Sequence, residues 1–287
     1  MRHSALPLWI AVTVLGLVDV VVSIRLRLVF FGWTRLVLAG TALAAIWLFY
    51  QLSGRSTRLA RAVEWALLWI VFANAGAVLT YIAAACGGAP HDASFAMIDR
   101  ALGFDWSRWH HYLLDHRALR FALLIFYTSL LPQILVSILY FSLTGADDAN
   151  YQLLLNTIVA LVLTAALFML FPALGRGGLV GDPYLRDLVA LRDGHPSAFD
   201  LARLQGIVSF PSFHTVLAIL LVWAHRRSPL LLPFVVVNFG MLVSITGPGE
   251  HYLADILGGA AVAGLAILAT RVTALPRRRI FARASPL

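Results

Sequence analysis

Apolar residues fill this chain in long blocks, separated by short segments that carry arginines, glycines and prolines. Crossing the hydrocarbon core of a bilayer takes about 20 apolar residues. Blocks of that order cover residues 5–24, 29–50, 63–86, 118–143, 151–171, 207–225, 229–247 and 251–274. The pattern predicts an all-α, polytopic transmembrane helical bundle of about eight spans. Asp19, Arg35, Glu64, Asn74 and Arg120 interrupt or edge these blocks. All but Asn74 fall within about two turns of a boundary, where snorkelling to the surface is expected. Residues 5–24 imitate a signal peptide, with Arg2 ahead of an apolar run, but no convincing cleavage site follows and a retained first helix is expected.

Two segments between blocks are long enough to fold by themselves. Residues 87–117 contain Asp99 to Trp106 and then Trp109, His110, His111 and Tyr112, a mixture that suits an interfacial helix on the outer face. Residues 172–206 run from Pro172 through Gly175-Arg176-Gly177-Gly178 and Asp182-Pro183 to Arg203. That stretch leads into a histidine motif and is expected to roof it.

Composition agrees with a membrane protein. Of 287 residues, 60% are hydrophobic and 13% charged, and the mean hydropathy is +0.83. A soluble domain carries about 25% charged residues. The net charge is +8 and all 22 basic residues are arginine, which excludes Schiff-base or phosphate-binding lysines. The arginines gather in loops and at the C-terminus, which fits membrane orientation better than nucleic-acid binding. Arg55, Arg58, Arg61, Arg226, Arg227 and Arg277 to Arg279 then fall on the cytoplasmic side, with both termini. Arg25 and Arg27 outside, and Asp147 and Asp148 inside, fit less well. The all-arginine usage suits a GC-rich bacterial genome and hence a bacterial inner membrane. The single cysteine, Cys86, excludes an internal disulfide and a cysteine-rich metal site.

The candidate chemistry lies near the C-terminus. In Ser209-Phe210-Pro211-Ser212-Phe213-His214, proline and its flanking serines read as a helix start, with Pro211 at the first helical position. The free N–H groups of such a turn attract anions. Ser212 adds a hydroxyl and His214 a titratable proton. From Ser212 to Ala224 the helix is about 20 Å long, short of the bilayer core, so its start lies below the surface where a lipid phosphate can reach it. The second motif, Gly249-Glu250-His251-Tyr252-Leu253-Ala254-Asp255, spaces His251 and Asp255 four apart, on one helical face. A carboxylate on one imidazole nitrogen leaves the other free as a nucleophile. Thr246-Gly247-Pro248-Gly249 ahead of it is turn chemistry that lets backbone approach a ligand. Read alone, the first motif is also an ordinary capped helix and the second a local polar pair. Together, 37 residues apart and on one membrane face, they point to chemistry on a lipid phosphate.

These residues resemble the type 2 phosphatidic acid phosphatase superfamily, most closely its inositol phosphorylceramide synthase (inositolphosphotransferase) branch. Pro211-Ser212-Phe213-His214 matches its Pro-Ser-x-His motif. His251 and Asp255, with Tyr252, the preceding Thr-Gly, and Gly258 and Gly259 beyond, match its histidine–aspartate motif. The resemblance implies a metal-independent phosphotransferase or phosphohydrolase that needs no cofactor, working through a phosphohistidine on a lipid with a phosphate head group. His251 is then the nucleophile, Asp255 orients it, and His214 protonates the leaving group and later activates water or an acceptor hydroxyl. Ser212, Arg176, Arg203 and Tyr252 are the expected substrate-binding residues, with Arg100 a weaker third source of positive charge. The resemblance divides a single membrane domain, 1–287, into a catalytic core at 94–274 and additional N-terminal helices at 1–93. Two departures stand out. The superfamily's lysine-bearing first motif is absent, and Ser244-Ile245 replaces the Ser-Arg six residues ahead of the third motif's histidine. Loss of those cations disfavours a dianionic monoester and suits a singly charged phosphodiester. Two alternatives remain at this point: a simple lipid phosphate or polyprenyl diphosphate phosphatase, and a non-catalytic lipid carrier.

Overall fold

A computed structural model of the chain describes residues 4–176, 183–192, 197–203 and 206–273. Gly177, Gly178, Asp182 and Arg277 to Arg279 lie outside the described residues. Three helices open the chain: α1 (Leu6–Leu26), α2 (Trp33–Ser53) and α3 (Thr57–Cys86). Two short amphipathic helices follow, α4 (Asp92–Ala101) and α5 (Trp106–Asp115). They are separated at Gly103, whose φ of 75° favours glycine. The rest comprises α6 (Arg117–Thr128), α7 (Leu130–Thr144), α8 (Asp147–Leu170), α9 (Pro183–Arg192), α10 (Phe213–Ala224), α11 (Leu231–Ile245) and α12 (Leu253–Thr273).

Among the described residues, α1, α2, α3, α8 and α12 are long and apolar enough to cross a membrane, and α6 with α7 makes a sixth span across a 43° bend. The bend has a local cause. Thr128 and Ser129 return their hydroxyls to the carbonyls of Leu124 (2.9 Å) and Phe126 (2.6 Å), and Pro132 offers no N–H. The last two internal blocks, 207–225 and 229–247, hold helices of only 12 and 15 residues. At 1.5 Å per residue these are about 18 Å and 22 Å long. The eight apolar blocks therefore resolve into up to six spans and two short helices.

The core is built on α3, α8, α10 and α12. Trp65, Leu68, Leu153, Leu154, Leu161, Leu220 and Leu221 are buried together. By contrast α2 buries none of its residues, as suits an all-round apolar helix facing lipid. One feature is not helical. Between Arg27, left-handed at the end of α1, and Gly32 (φ 85°), the run Leu28–Phe31 forms β1, parallel to β2 (Ser197–Asp200). Aromatic and β-branched residues suit a strand. Phe30 and Phe199 pack 5.9 Å apart and both meet the Tyr81 ring. A Cβ at Gly32 would collide with the Asp200 carboxylate.

Charged side chains near block edges divide in their behaviour. Arg35 and Arg120 are exposed, as snorkelling requires, and Glu64 is half-buried. Asp19 does not snorkel: it is only 3% exposed. Its helix runs on to Leu26, almost two turns further, and the short aspartate stem cannot span that distance.

The two ends of the bundle differ. One carries Arg61 against Asp147 (3.5 Å) and the guanidinium groups of Arg226 and Arg271 over the Trp223 ring (4.1 and 4.2 Å). The other end gathers α4, α5, residues 172–176 and the first turns of α10 and α12. There α12 crosses α10 at its glycines. A Cβ at Gly259 would stand 2.5 Å from the Ser212 carbonyl oxygen and 2.7 Å from Thr215 Cβ. Gly259→Val should therefore wedge the two helices apart and cost about 1–3 kcal/mol. Thermal unfolding in detergent checks this, and an unchanged midpoint would show that the crossing tolerates bulk.

Candidate active site

The first motif forms a helix cap, with the helix starting two residues later than its sequence implies. Ser212, not Pro211, ends the loop: its Oγ accepts the Thr215 N–H (3.4 Å), and α10 begins at Phe213. Pro211 lies outside the helix, after a cis Phe210–Pro211 bond. Ser212 is fully buried, because its backbone N–H also donates to the Asp255 carbonyl (3.0 Å). His214, in the first turn of α10, stacks on Tyr127 with ring centroids 4.3 Å apart.

The second motif departs from a plain helical pair as well. α12 starts at Leu253, so His251 precedes the helix rather than sharing a face with Asp255. The carboxylate reaches back instead. Asp255 Oδ2 accepts from His251 Nδ1 (2.9 Å), the Tyr252 N–H (3.0 Å) and the Ser209 hydroxyl (3.2 Å). With its proton on Nδ1, His251 keeps the Nε2 lone pair for other chemistry. Asp255 is fully buried and His251 nearly so. His214 lies within electrostatic reach of His251, so the two rings share one region.

The Thr246–Gly249 turn is tight for a reason other than a ligand. A Cβ at Gly249 would press on the Ile245 carbonyl oxygen (2.6 Å) and Tyr127 Cε2 (2.8 Å). One at Gly247 would meet Leu113 on α5 at 2.7 Å. Glu250 next takes a left-handed φ of 53°, a costly conformation for a side chain of its kind. That turn aims its carbonyl at the Arg176 N–H (2.8 Å).

Two aspartates on α4, neither of them assigned a role from the sequence, tie the site together. They stand seven apart, two helical turns, and so face the same way. Asp92 accepts the N–H groups of Leu174 (3.0 Å) and Gly175 (3.1 Å) and the Tyr252 hydroxyl (3.1 Å). Asp99, with no exposure, accepts the first amide of α12, Leu253 N–H (2.9 Å), and an Arg176 Nη2. Arg176 also lies over the Tyr252 ring at 4.5 Å and the Trp106 ring at 5.8 Å. Burial, with the Asp92 carboxylate beside it, pushes the Tyr252 phenol above its ordinary range, so it stays a neutral donor. Phe95, also on α4, packs on both motifs, 4.6 Å from the Phe210 ring and 5.9 Å from Tyr252.

The structure thus brings His214, His251, Asp255, Ser212, Tyr252 and Arg176 together. Arg203 lies elsewhere: 86% exposed, it pairs with Asp200 at 3.7 Å beside the strand pair. Arg100 is exposed on α4. Asp92 and Tyr127 join the site without having been named, and Asp99, Trp106 and Ser209, named only as parts of their segments, make contacts that no site role had been assigned to. Only the two aspartates carried a signal, their spacing on an amphipathic helix.

A family model described as the PAP2 superfamily matches residues 93–269. No curated protein and no solved structure matched the chain.

Asp99 holds a largely buried guanidinium and a helix-start amide at once, so Asp99→Ala should cost about 3–5 kcal/mol. Asp99→Asn, which keeps an acceptor for Leu253, should cost less. Denaturation of the two variants in detergent checks the ranking, and a smaller loss in the alanine variant would contradict it.

Proposed function

The chain belongs to the PAP2 superfamily, and from that membership we propose that it moves or removes the phosphate-containing head group of a membrane lipid through a phosphohistidine at His251. The observation that carries the reading is the 2.9 Å hydrogen bond from His251 Nδ1 to a buried Asp255, with His214 close by. A histidine bonded in this way keeps the reactive tautomer and gains a counter-charge as the ring becomes cationic. His251 Nε2 attacks phosphorus and the bond to the leaving oxygen breaks, while His214 delivers the proton that oxygen needs. Water or an acceptor hydroxyl then attacks the phosphohistidine and returns a proton to His214. Arg176 supplies positive charge to the phosphoryl oxygens in transit. The N–H groups at the start of α10 add fixed donors.

The charge at this site supports a phosphodiester over a monoester. Arg176 is already paired with Asp99, and the superfamily's lysine is absent. A singly charged head group needs less neutralisation than a dianion. This agrees with the motif resemblance to the inositol phosphorylceramide synthase branch, and we assign transfer to an alcohol as the preferred outcome, with hydrolysis as the alternative. Residues 94–274 make up the catalytic core in this reading, and 1–93 add to it. The basic end of the bundle faces the cytoplasm by the positive-inside rule, and the histidines face outward.

Three variants test the chemistry. Purified protein incubated with lipids labelled at phosphorus should retain acid-labile label, and His251→Ala should retain none. Asp255→Asn should lower kcat by about 10²–10⁴ while the protein remains folded, the scale seen when a histidine loses its orienting carboxylate. His214→Ala should slow reaction of an alkyl ester and be partly rescued by an aryl ester, whose leaving group needs no proton. Label that survives in His251→Ala would sink the mechanism, and the absence of both label and turnover over a broad lipid panel would favour a carrier.

A further inference from the structure

Away from the histidines, α1, α2, α3, β1 and Leu201 line a half-open cavity of 510 Å³ with mostly apolar walls. That volume falls within the range of about 300–1,000 Å³ typical of small-molecule sites. Three side chains break the apolar lining: Asp19, Ser23 and Asn74. Asn74 is satisfied by its own helix, donating to the Ile70 carbonyl at 2.8 Å. Asp19 and Ser23 are not. They stand one turn apart on α1, exposed by only 3% and 6%. Among the described residues no group donates to either Asp19 oxygen, and none pairs with the Ser23 hydroxyl.

A carboxylate withdrawn from water without a donor is costly in any protein and more so at membrane depth. Asp19 has no cation to meet on the neighbouring walls, since the remaining lining side chains are apolar or glycine. Room for a guest comes from two glycines. A Cβ at Gly16 would meet nothing within 4 Å, and one at Gly40 only Leu67 Cδ1 at 4.0 Å. Both positions therefore leave open space where any larger residue would project.

We propose that this cavity binds a lipid with one apolar chain and a hydrogen-bond-donating head, a hydroxyl or an ammonium, which donates to Asp19 while the chain lies between α1, α2 and α3. Ser23 offers a second polar contact to the same head. The site is independent of the phosphoryl chemistry, because none of its walls belongs to the cluster around His251.

The full-length protein in nanodiscs is exposed to photoactivatable octadecanol, octadecylamine or octadecane, and crosslinks are mapped on peptides by mass spectrometry. The alcohol, the amine or both should label α1 to α3 well above the headless octadecane, and whichever labels identifies the head. Asp19→Leu should weaken that labelling about tenfold, to the octadecane level, as expected for losing a hydrogen bond to a charged group. Gly16→Phe should fill the cavity and abolish labelling, with Gly40→Phe as the second plug should the first not fold. Equal labelling by octadecane, or labelling unchanged by Asp19→Leu or by a folded plug variant, would overturn the proposal. No arm reads phosphoryl transfer, so failure here leaves the reading of His251 untouched, and the reverse.

Discussion

Asp255 joins the two histidine motifs through a single residue. Its side chain gathers His251, the Tyr252 amide and Ser209, while its carbonyl accepts the Ser212 N–H. One end of α12 is thereby locked to the cap of α10, and the orientation of one imidazole is fixed relative to the helix that bears the other. Full burial strengthens these bonds, because no water competes for the carboxylate. The glycines behind it, Gly258 and Gly259, permit the backbone approach that brings the two motifs within reach.

Around that joint α4 acts as a brace. Asp92 and Asp99 take up backbone N–H groups that would otherwise be orphaned, in the 172–176 segment and at the start of α12. They also position Arg176 beside Tyr252. A guanidinium held between a carboxylate and aromatic faces has little freedom left. The strained turn at Glu250 belongs to the same arrangement, since its carbonyl anchors the Arg176 amide.

Length matters as much as contact. α10 and α11 are too short to cross a bilayer core unaided. A helix of 12 residues that starts at His214's turn leaves part of a bilayer's thickness uncovered at one of its ends. The N-terminal helices follow a different logic: α2 buries nothing, and the space it lines with α1 and α3 retains a carboxylate lacking a donor.

Much of this was readable along the chain where the physics is local. Apolar block length reveals a helical membrane protein, and the shortness of the Ser212–Ala224 segment is a count of residues. The nearness of His251 to Asp255 follows from a spacing of four, although the pair meets across a helix start instead of along a helix face. Other features depend on what packs where. The Leu28–Phe31 run became a strand only because Ser197–Asp200 lies alongside it. Asp19 stayed buried because α3 and α2 close over it, whereas a boundary count placed it near water. Arg176 and Arg203 look alike in sequence, and only their neighbours separate them, Asp99 and two aromatic rings for one, solvent for the other. Residue order determined where the apolar helices lie and which candidate groups stand close along the chain, since those depend on neighbours within a turn or two. Which groups converge, and which charges lose their water, was decided by tertiary packing, since burial is a property of the assembled bundle and of no single segment.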